Sequence, residues 1–585
     1  MSKLNYAEVT AIRNRLRDGM SRQLPLWREL ARFIAPERLK ENPDDKNNGS
    51  RKDMRIIKNQ AGRSLRTFVS GMMNGATPRS RPWFNLTVNS KSKANSSAAK
   101  RFFTESENVL NSHFQVSNLY RILPMAYKDV GVFSNAAFAM LPHPRFGFYF
   151  YPFAIGTYAF ACDTEGNTNM FTRDFSLTVR QIVERYAGVK PNGQIDWTNI
   201  PVWVRTSWEQ AKYLETMVLS QVIVPNPTYN PDKPSLDPAD KKFQSYTFVQ
   251  AMGSNLPPQT SSGFRNENSV GQNDFIKISG FDYFPVITPR WEVMPEEDYG
   301  VDGPGHIALG DVQTLQEMEK WRLEAIAKNI KPPMVGHSSL RRHQASILAG
   351  GITYVDDQGA QAGFKPAFQV DPKISDLIAD QQEYVQAIRS AFYEDLFLML
   401  SGTESKSHVT AREIDEKAAE RMSTLAPVLG QWDQDLSSKL ISNAQLILEQ
   451  AKRLPPRPKE LEGELLRPEY ISILAQAAKV SMMNSLERYL GFVVNMAQVN
   501  QDPALLKMLN AERAIRIYGD YVAIDPTIVP SEMEFEQIRQ VEAQKQAQAQ
   551  QMQQMQAEAQ TSKDLSQAKI GEGSMLDTLL QASQP

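Results

Sequence analysis

The 585-residue sequence predicts an α+β chain that is mainly helical, and three observations carry that reading. Apolar residues recur every three or four positions through the first 141 residues and again over 306–458. Residues 145–294 are instead aromatic and β-branched, in short runs bounded by turn residues, as strands are. Two long helical patterns, 306–330 and 373–400, flank a Gly-punctuated segment, 331–372, that reads as a small β-containing module.

Each element follows from local pattern. Val9, Ile12, Leu16 and Met20 share one helix face, as do Trp27, Leu30 and Ile34. Ile57, Ala61, Leu65, Phe68 and Met72 mark a third helix that stops at Asn74-Gly75, with Pro78 beyond. "RFFTESENVLNSHF" (101–114) and "YRILPMAYKDVGVFSNAAFAML" (120–141) extend the helical part to residue 141. At 145–179 the aromatic run holds the turn Thr164-Glu165-Gly166-Asn167 between two strand-like arms, and the short helix "VRQIVERYAG" follows. "SYTFVQAM" and "FDYFPVITPRWEV" read as further strands, and 224–242 as a long surface loop.

The 309–330 stretch carries acid early and Lys328 late, which suits the helix dipole, and it stops at Lys331-Pro332-Pro333. In the second long helix Ile374, Ile378, Val385, Ile388, Phe392 and Leu396 fall on one face. At 1.5 Å per residue these helices span roughly 33–42 Å each. After a polar loop at 401–409, Ile414, Ala418, Met422, Leu425, Leu429, Trp432, Leu436 and Leu440 keep helical phase through Pro427. A kink rather than an end is expected there, before the helix stops at "LPPRP". More helices are expected over 468–518. In 540–560, 10 of 21 residues are Gln, a segment with little to bury. Alone it is expected to fray or be disordered; within an oligomer it would form a helical bundle or barrel.

Net charge is −1, yet residues 1–101 hold 22 Lys+Arg against 8 Asp+Glu, leaving the other 484 with 43 against 58. The split implies either opposed surfaces for different partners or a solvated basic helical face. Cys162 is the one cysteine, which excludes an intramolecular disulfide and fits a reducing compartment. The N-terminal residues have no apolar stretch of a secretory signal, and no run of about 18 apolar residues occurs, so no membrane partner is expected.

Catalytic patterns are missing. No Gly-Lys pair exists, which removes a P-loop, and H-E-x-x-H and G-x-S-x-G are absent. "GPGHIALG" (303–310) mimics a dinucleotide turn but follows an acidic turn rather than an apolar strand. "CDTEGN" and "YVDDQG" lack calcium-loop spacing and read as hairpin turns. The six His residues are scattered, and Asp433 and Asp435 point to different helix faces, so no metal site, cofactor or catalytic residue is assigned. What remains is interaction chemistry: Ser405, Lys406, Ser407 and His408 on the loop, and the basic cluster Arg341, Arg342 and His343 in the inter-helix module.

The order of features resembles the portal, or head-to-tail connector, proteins of short-tailed double-stranded DNA bacteriophages. "GATPRSRPWFNLTV", "TYAFACDTEGNTNMFTRDFSLTVRQIVERYAG", "FPVITPRWEVMPEEDYGVDGPGHIALGDVQTLQEME" and "HVTAREIDEKAAERMSTLAPVLGQWDQDL" carry the likeness, over roughly residues 5–530. One departure is "VDGPG", where the family has a basic residue after Tyr-Gly. The resemblance implies a non-enzymatic ring, usually a dodecamer, around a channel at one capsid vertex. Residues 1–305 would be its wing, 306–330 and 373–400 an antiparallel stem, and 331–372 a clip facing terminase and then tail adaptors. Residues 401–409 would be a channel loop touching double-stranded DNA without reading sequence, 410–458 the kinked wing helix, 459–535 the crown and 536–585 a barrel or disordered tail. Lys406 and His408 would face the lumen, with Ser405 and Ser407 beside them, and Arg341, Arg342 and His343 would face terminase or adaptor. It further implies capsid and scaffold proteins as partners, assembly in the host cytoplasm, and residence in the virion. Competing readings are a scaffold or internal ejection protein, expected to be almost purely helical, and a DNA-processing nuclease, expected to show metal ligands.

Overall fold

The computed structural model describes residues 4–45, 54–90, 96–231, 237–250, 275–330, 334–335, 365–366, 374–400, 428, 430–461, 463, 466–470, 486–496, 498–499, 510–522 and 532–567. The chain divides into two units: 1–87, 104–456 and 467–488 form one, and 88–103, 457–466 and 489–585 the other.

In the first unit α1 (Tyr6–Ser21) begins at a capping box, with Asn5 and Glu8 bonding each other's backbone amides. It is followed by α2 (Leu24–Phe33) and α3 (Gln60–Gly75). Their predicted stripes are the buried faces: Val9, Leu16, Met20, Trp27, Leu30, Ile34, Leu65, Phe68 and Met72. Ile12 is half-buried, and Ile57 is exposed and ahead of the helix that Asn59 caps. Helix α4 (Ser97–Val116) precedes α5 (Leu119–Phe133). The helical reading of 120–141 is corrected here. Ser134 takes a left-handed φ of 59° and closes α5, and the chain re-emerges as a strand from Phe138.

The strands are β1 (Phe84–Val88), which pairs with Leu466–Tyr470, then β2 (Phe138–His143), β3 (Gly147–Pro152), β4 (Tyr158–Cys162) and β5 (Thr168–Thr178). After α6 (Val179–Tyr186) and α7 (Val202–Glu209) come β6 (Thr216–Pro225), β7 (Phe243–Val249), β8 (Lys277–Phe281) and β9 (Val286–Ile287). An antiparallel five-stranded sheet runs β8-β7-β6-β5-β4, and a three-stranded one runs β9-β2-β3. The β4–β5 turn is the predicted one. Asp163 Oδ1 accepts from the amides of Glu165 and Asn167, and Gly166 takes φ 78°. Val9 of α1 packs on Val222, Val224, Tyr246 and Phe248 of the larger sheet.

Long-range ion pairs draw part of the basic N-terminal segment inward. Arg13 donates to both oxygens of buried Asp174 at 3.0 and 2.6 Å, and Arg17 lies 3.6 Å from it. Arg38 grips buried Asp129 in the same bidentate way. Part of the charge split is therefore complementarity within one chain rather than an outward-facing surface.

The chain then forms α8 (Pro304–Ile330), α9 (Ile374–Ala391), α10 (Glu394–Leu400) and α11 (Lys439–Gln450). Between α8 and α9, Met334–Val335 pairs antiparallel with Lys365–Pro366. The single helix expected over 373–400 is broken at Phe392–Tyr393. Tyr393 adopts φ 53°, and no Gly or Pro announces it. Residues 401–427, the predicted kink included, lie outside the described residues; Val428, Trp432, Leu436 and Leu440 are buried, the last three on the expected stripe.

Ahead of α11, Asp433–Ser438 forms a wide π turn. It separates two neighbouring acids. Asp435 is buried and receives Arg290 Nε at 2.8 Å and Nη2 at 3.0 Å; Nη2 also donates to Gly166 O at 2.7 Å and Nη1 to Asp298 O at 3.3 Å. Burial pushes the Asp433 carboxyl up to about 7, a hydrogen bond with Ser437 opposing it.

In the second unit α12 (Ala511–Val522) and the 36-residue α13 (Glu532–Gln567) follow a helical stretch at 489–496. The Gln-rich segment is thus continuous helix, with Ile538, Val541, Met552 and Met555 exposed along it.

Substitution separates the two acids. Asp435→Asn is expected to cost about 3–5 kcal/mol in urea unfolding, because it leaves a buried guanidinium without its counter-charge. Asp433→Asn is expected to gain on wild type as pH rises. A carboxyl whose folded value exceeds its unfolded one stabilises most below pH about 4. That contribution is lost as pH rises through about 7. Equal stability of Asp433→Asn and wild type across that window would contradict the assignment.

Candidate functional site at the root of the two long helices

The predicted interaction residues Ser405, Lys406, Ser407, His408, Arg341, Arg342 and His343 all lie outside the described residues. What is described is the framework from which their segments depart: α8 and α9 lead into and out of 331–373, and α10 ends at Leu400.

The start of α8 is held by the end of α5. Asn135 Nδ2 donates to Phe133 O at 2.8 Å and Gly300 O at 3.1 Å, while its Oδ1 accepts from Gly300 N at 2.7 Å. Ser134 Oγ accepts from Gly303 N at 2.9 Å and lies 2.6 Å from His306 Nδ1. Burial lowers the His306 pKa, with Asp302 opposing the shift, so the neutral ring is favoured in this junction. Backbone approaches closely. A Cβ on Gly300 would meet Ser134 O at 2.5 Å, and one on Gly305 would meet Val132 O at 2.5 Å and Val132 Cα at 2.8 Å. Gly303 and Gly305 of "GPGHIALG" therefore serve close contact with the end of α5 at the α8 root.

Further along, Ala308, Val312 and Leu315 bury one face of α8. Gln316 Oε1 accepts from the amides of Ile57 and Lys58 at 2.8 and 2.9 Å, and its Nε2 donates to Lys58 O at 2.9 Å. Lys58 Nζ reaches Gln381 Oε1 on α9 at 3.5 Å, so the segment before α3 ties both long helices together. On α10, Glu394 Oε2 accepts from Ser64 Oγ at 2.5 Å. Phe397 packs edge-on to Phe68 and against Gly71, where a Cβ would stand 2.1 Å from its ring. Other parts of the α8 surface are uncovered. Ile307, Trp321 and Ile330 are 57, 57 and 72 % exposed, and Trp321 shares the helix face of Ile307 and Thr314.

The described contacts position helices: they hold the start of α8 on α5 and tie α8 and α9 to the segment before α3. Among the described residues no group of three His, Cys, Asp or Glu could hold a metal, and no helix is long and apolar enough to cross a membrane. Sequence reasoning missed Ser134, Asn135 and Gln316, whose partners lie 165–172 and 258–259 residues away. Spacing carries no signal at such separations.

The clamp and the free surface of α8 respond differently to one added methyl. Gly305→Ala is expected to lower stability by about 1–3 kcal/mol, since the clash is with backbone. Gly310→Ala, with nothing within 4 Å of the new Cβ, is expected to raise it by about 0.5–1 kcal/mol through helix propensity. Thermal unfolding of both variants checks the pair.

A profile described as "Bacteriophage head to tail connecting protein" matches residues 7–529. The "Portal protein" of Salmonella phage epsilon15 is 32% identical over 557 residues, covering 95% of this chain and 94% of that protein. The "Probable portal protein" of Bordetella phage BPP-1 is 28% identical over the same shares. Proteins of this kind are structural connectors of the virion rather than enzymes, and their general role is a ring-forming conduit for DNA. The chain belongs to the bacteriophage head-to-tail connecting protein family.

Proposed function

We propose that this chain is the portal subunit of a short-tailed phage, a closed ring, dodecameric in the virion, through which double-stranded DNA enters and leaves. The observation that supports it is the pair α8–α9, firmly rooted at one end and flanking a short antiparallel β pair at the other. In this reading α8 with α9 and α10 is the stem, and 331–372 is the clip that meets terminase during packaging and a tail adaptor afterwards. Residues 401–409 are the channel loop, 410–458 the wing helix and 459–535 the crown, with the tail from 536 an axial helical barrel. Capsid and scaffold proteins contact the ring while it is built in the host cytoplasm, and the finished vertex stays in the virion.

Exposed apolar side chains on α8 suit this role, because a ring covers one surface of each subunit with a different surface of the next. Lys406 and His408, with Ser405 and Ser407, meet the sliding duplex through phosphate contacts, which carry no sequence preference. Arg341, Arg342 and His343 present positive charge to the docking partner.

Negative-stain class averages of the purified chain are expected to show twelve- or thirteen-fold rings with a central hole; a stable monomer or an elongated rod would overturn the reading. Within it, Lys406→Glu is expected to reduce packaging or DNA retention. The double variant Arg341→Glu/Arg342→Glu is expected to weaken terminase binding about tenfold or more.

A further inference from the structure

Arg13, Arg17, Arg38 and Arg290 are drawn into the first unit, and each faces a carboxylate. Arg173 does not. It lies mid-strand in β5, half-buried, its guanidinium carbon 4.8 Å over the ring of Phe153 and 4.4 Å over that of Phe175. Its Nε donates to Gln221 Oε1 at 2.8 Å, and Gln221 is itself turned by donating Nε2 to Ser245 Oγ at 2.9 Å. Among the described residues no carboxylate pairs with Arg173, and its Nη1 and Nη2 make no hydrogen bond there, yet neither is sealed from solvent.

Among the described residues no carboxylate acts on Arg173. Arg185, exposed at the end of α6, is a second cation close enough to repel it, and Tyr186 and exposed Tyr151 complete the rim. Burial first, and Arg185 as well, pull the Arg173 pKa down to about 10. Two stacked rings and one amide thus fix a planar fork whose two outward nitrogens await an acceptor. That shape matches a carboxylate approached edge-on, held by two parallel N–H bonds.

We propose that Arg173 is a docking point for an Asp or Glu side chain of a second copy of this chain. The inference rests on the ring reading, in which every subunit offers one surface to a different surface of its neighbour. Charge favours that occupant: outside residues 1–101 the chain carries 58 Asp+Glu against 43 Lys+Arg, so acid faces are plentiful on a second copy. The contact supplies the counter-charge that Arg173 lacks among the described residues, and the Phe153–Phe175 sandwich holds the fork ready before the partner arrives.

The test uses the full chain. Arg173→Lys keeps the positive charge and adds an amine that a carbodiimide joins to a neighbouring carboxylate. With light and heavy isotope-labelled chains of this variant mixed before assembly, the introduced amine is expected in cross-linked peptides that join light to heavy. Arg173→Gln is expected to raise the protein concentration needed for rings about tenfold or more. Gln221→Glu places a carboxylate beside Arg173 within the same chain, so it is expected to raise the thermal midpoint while weakening ring assembly. Arg173→Gln and Gln221→Glu chains that form rings at the wild-type concentration would overturn the proposal. Cross-links from the introduced amine that stay within one chain would overturn it too. Those results leave the connector reading intact, whereas wild-type protein without rings overturns both.

Discussion

Burying Arg290 and Asp435 together is the constraint on which the first unit depends. Taking both charges from water costs several kcal/mol apiece, and only close, saturated bonding returns that energy. The chain therefore has to bring four separated places into register: the Asp163–Gly166 turn, Arg290, the Asp298 carbonyl and the π turn before α11. Once they meet, Trp432 stacks on Tyr127 at 5.0 Å, and Tyr127 shares a 2.8 Å hydrogen bond with Thr77 after α3. A single polar contact thus fixes helices and sheets that hydrophobic burial, being non-directional, would hold only loosely.

The legible parts of the fold are those whose signal is local. Stripes such as Val9–Leu16–Met20 and Leu65–Phe68–Met72 repeat at the helical period, and the Asp163 turn has side-chain chemistry that bends backbone by itself. Ser134 and Tyr393 were illegible for the opposite reason. Both adopt left-handed φ without being Gly, because tertiary contacts hold them there: Ser134 bonds Gly303, and Tyr393 packs on Trp291, which Phe68 backs. Of the site, the existence of two long helices could be read, along with the non-catalytic character of "GPGHIALG"; the Gln316 and Asn135 contacts could not, since their partners are remote in sequence. The loop and inter-helix residues named from the sequence lie outside the described residues and are carried by the proposal alone.

A subunit built for assembly differs from a self-sufficient globule in what it leaves uncovered. The first unit seals its interior around four buried tryptophans, Trp27, Trp83, Trp291 and Trp432, yet keeps Trp321 in water on α8. In the second unit Tyr489, Phe492, Val499 and Ile515 are exposed as well. Where such side chains lie side by side they mark a contact surface. In the proposed ring, the neighbouring subunit is the surface that would cover these side chains.

The glycine clamp at the start of α8 sets the leverage of the whole pair. Past its Gln316 anchor α8 runs on for about 21 Å to Ile330, so a tilt of about 5° there would displace Ile330 by about 2 Å. Gly305, which leaves no room for a Cβ beside Val132, and Gln316, bonded to Ile57 and Lys58, hold the helix at two separated points, so a push on its far end is met by both.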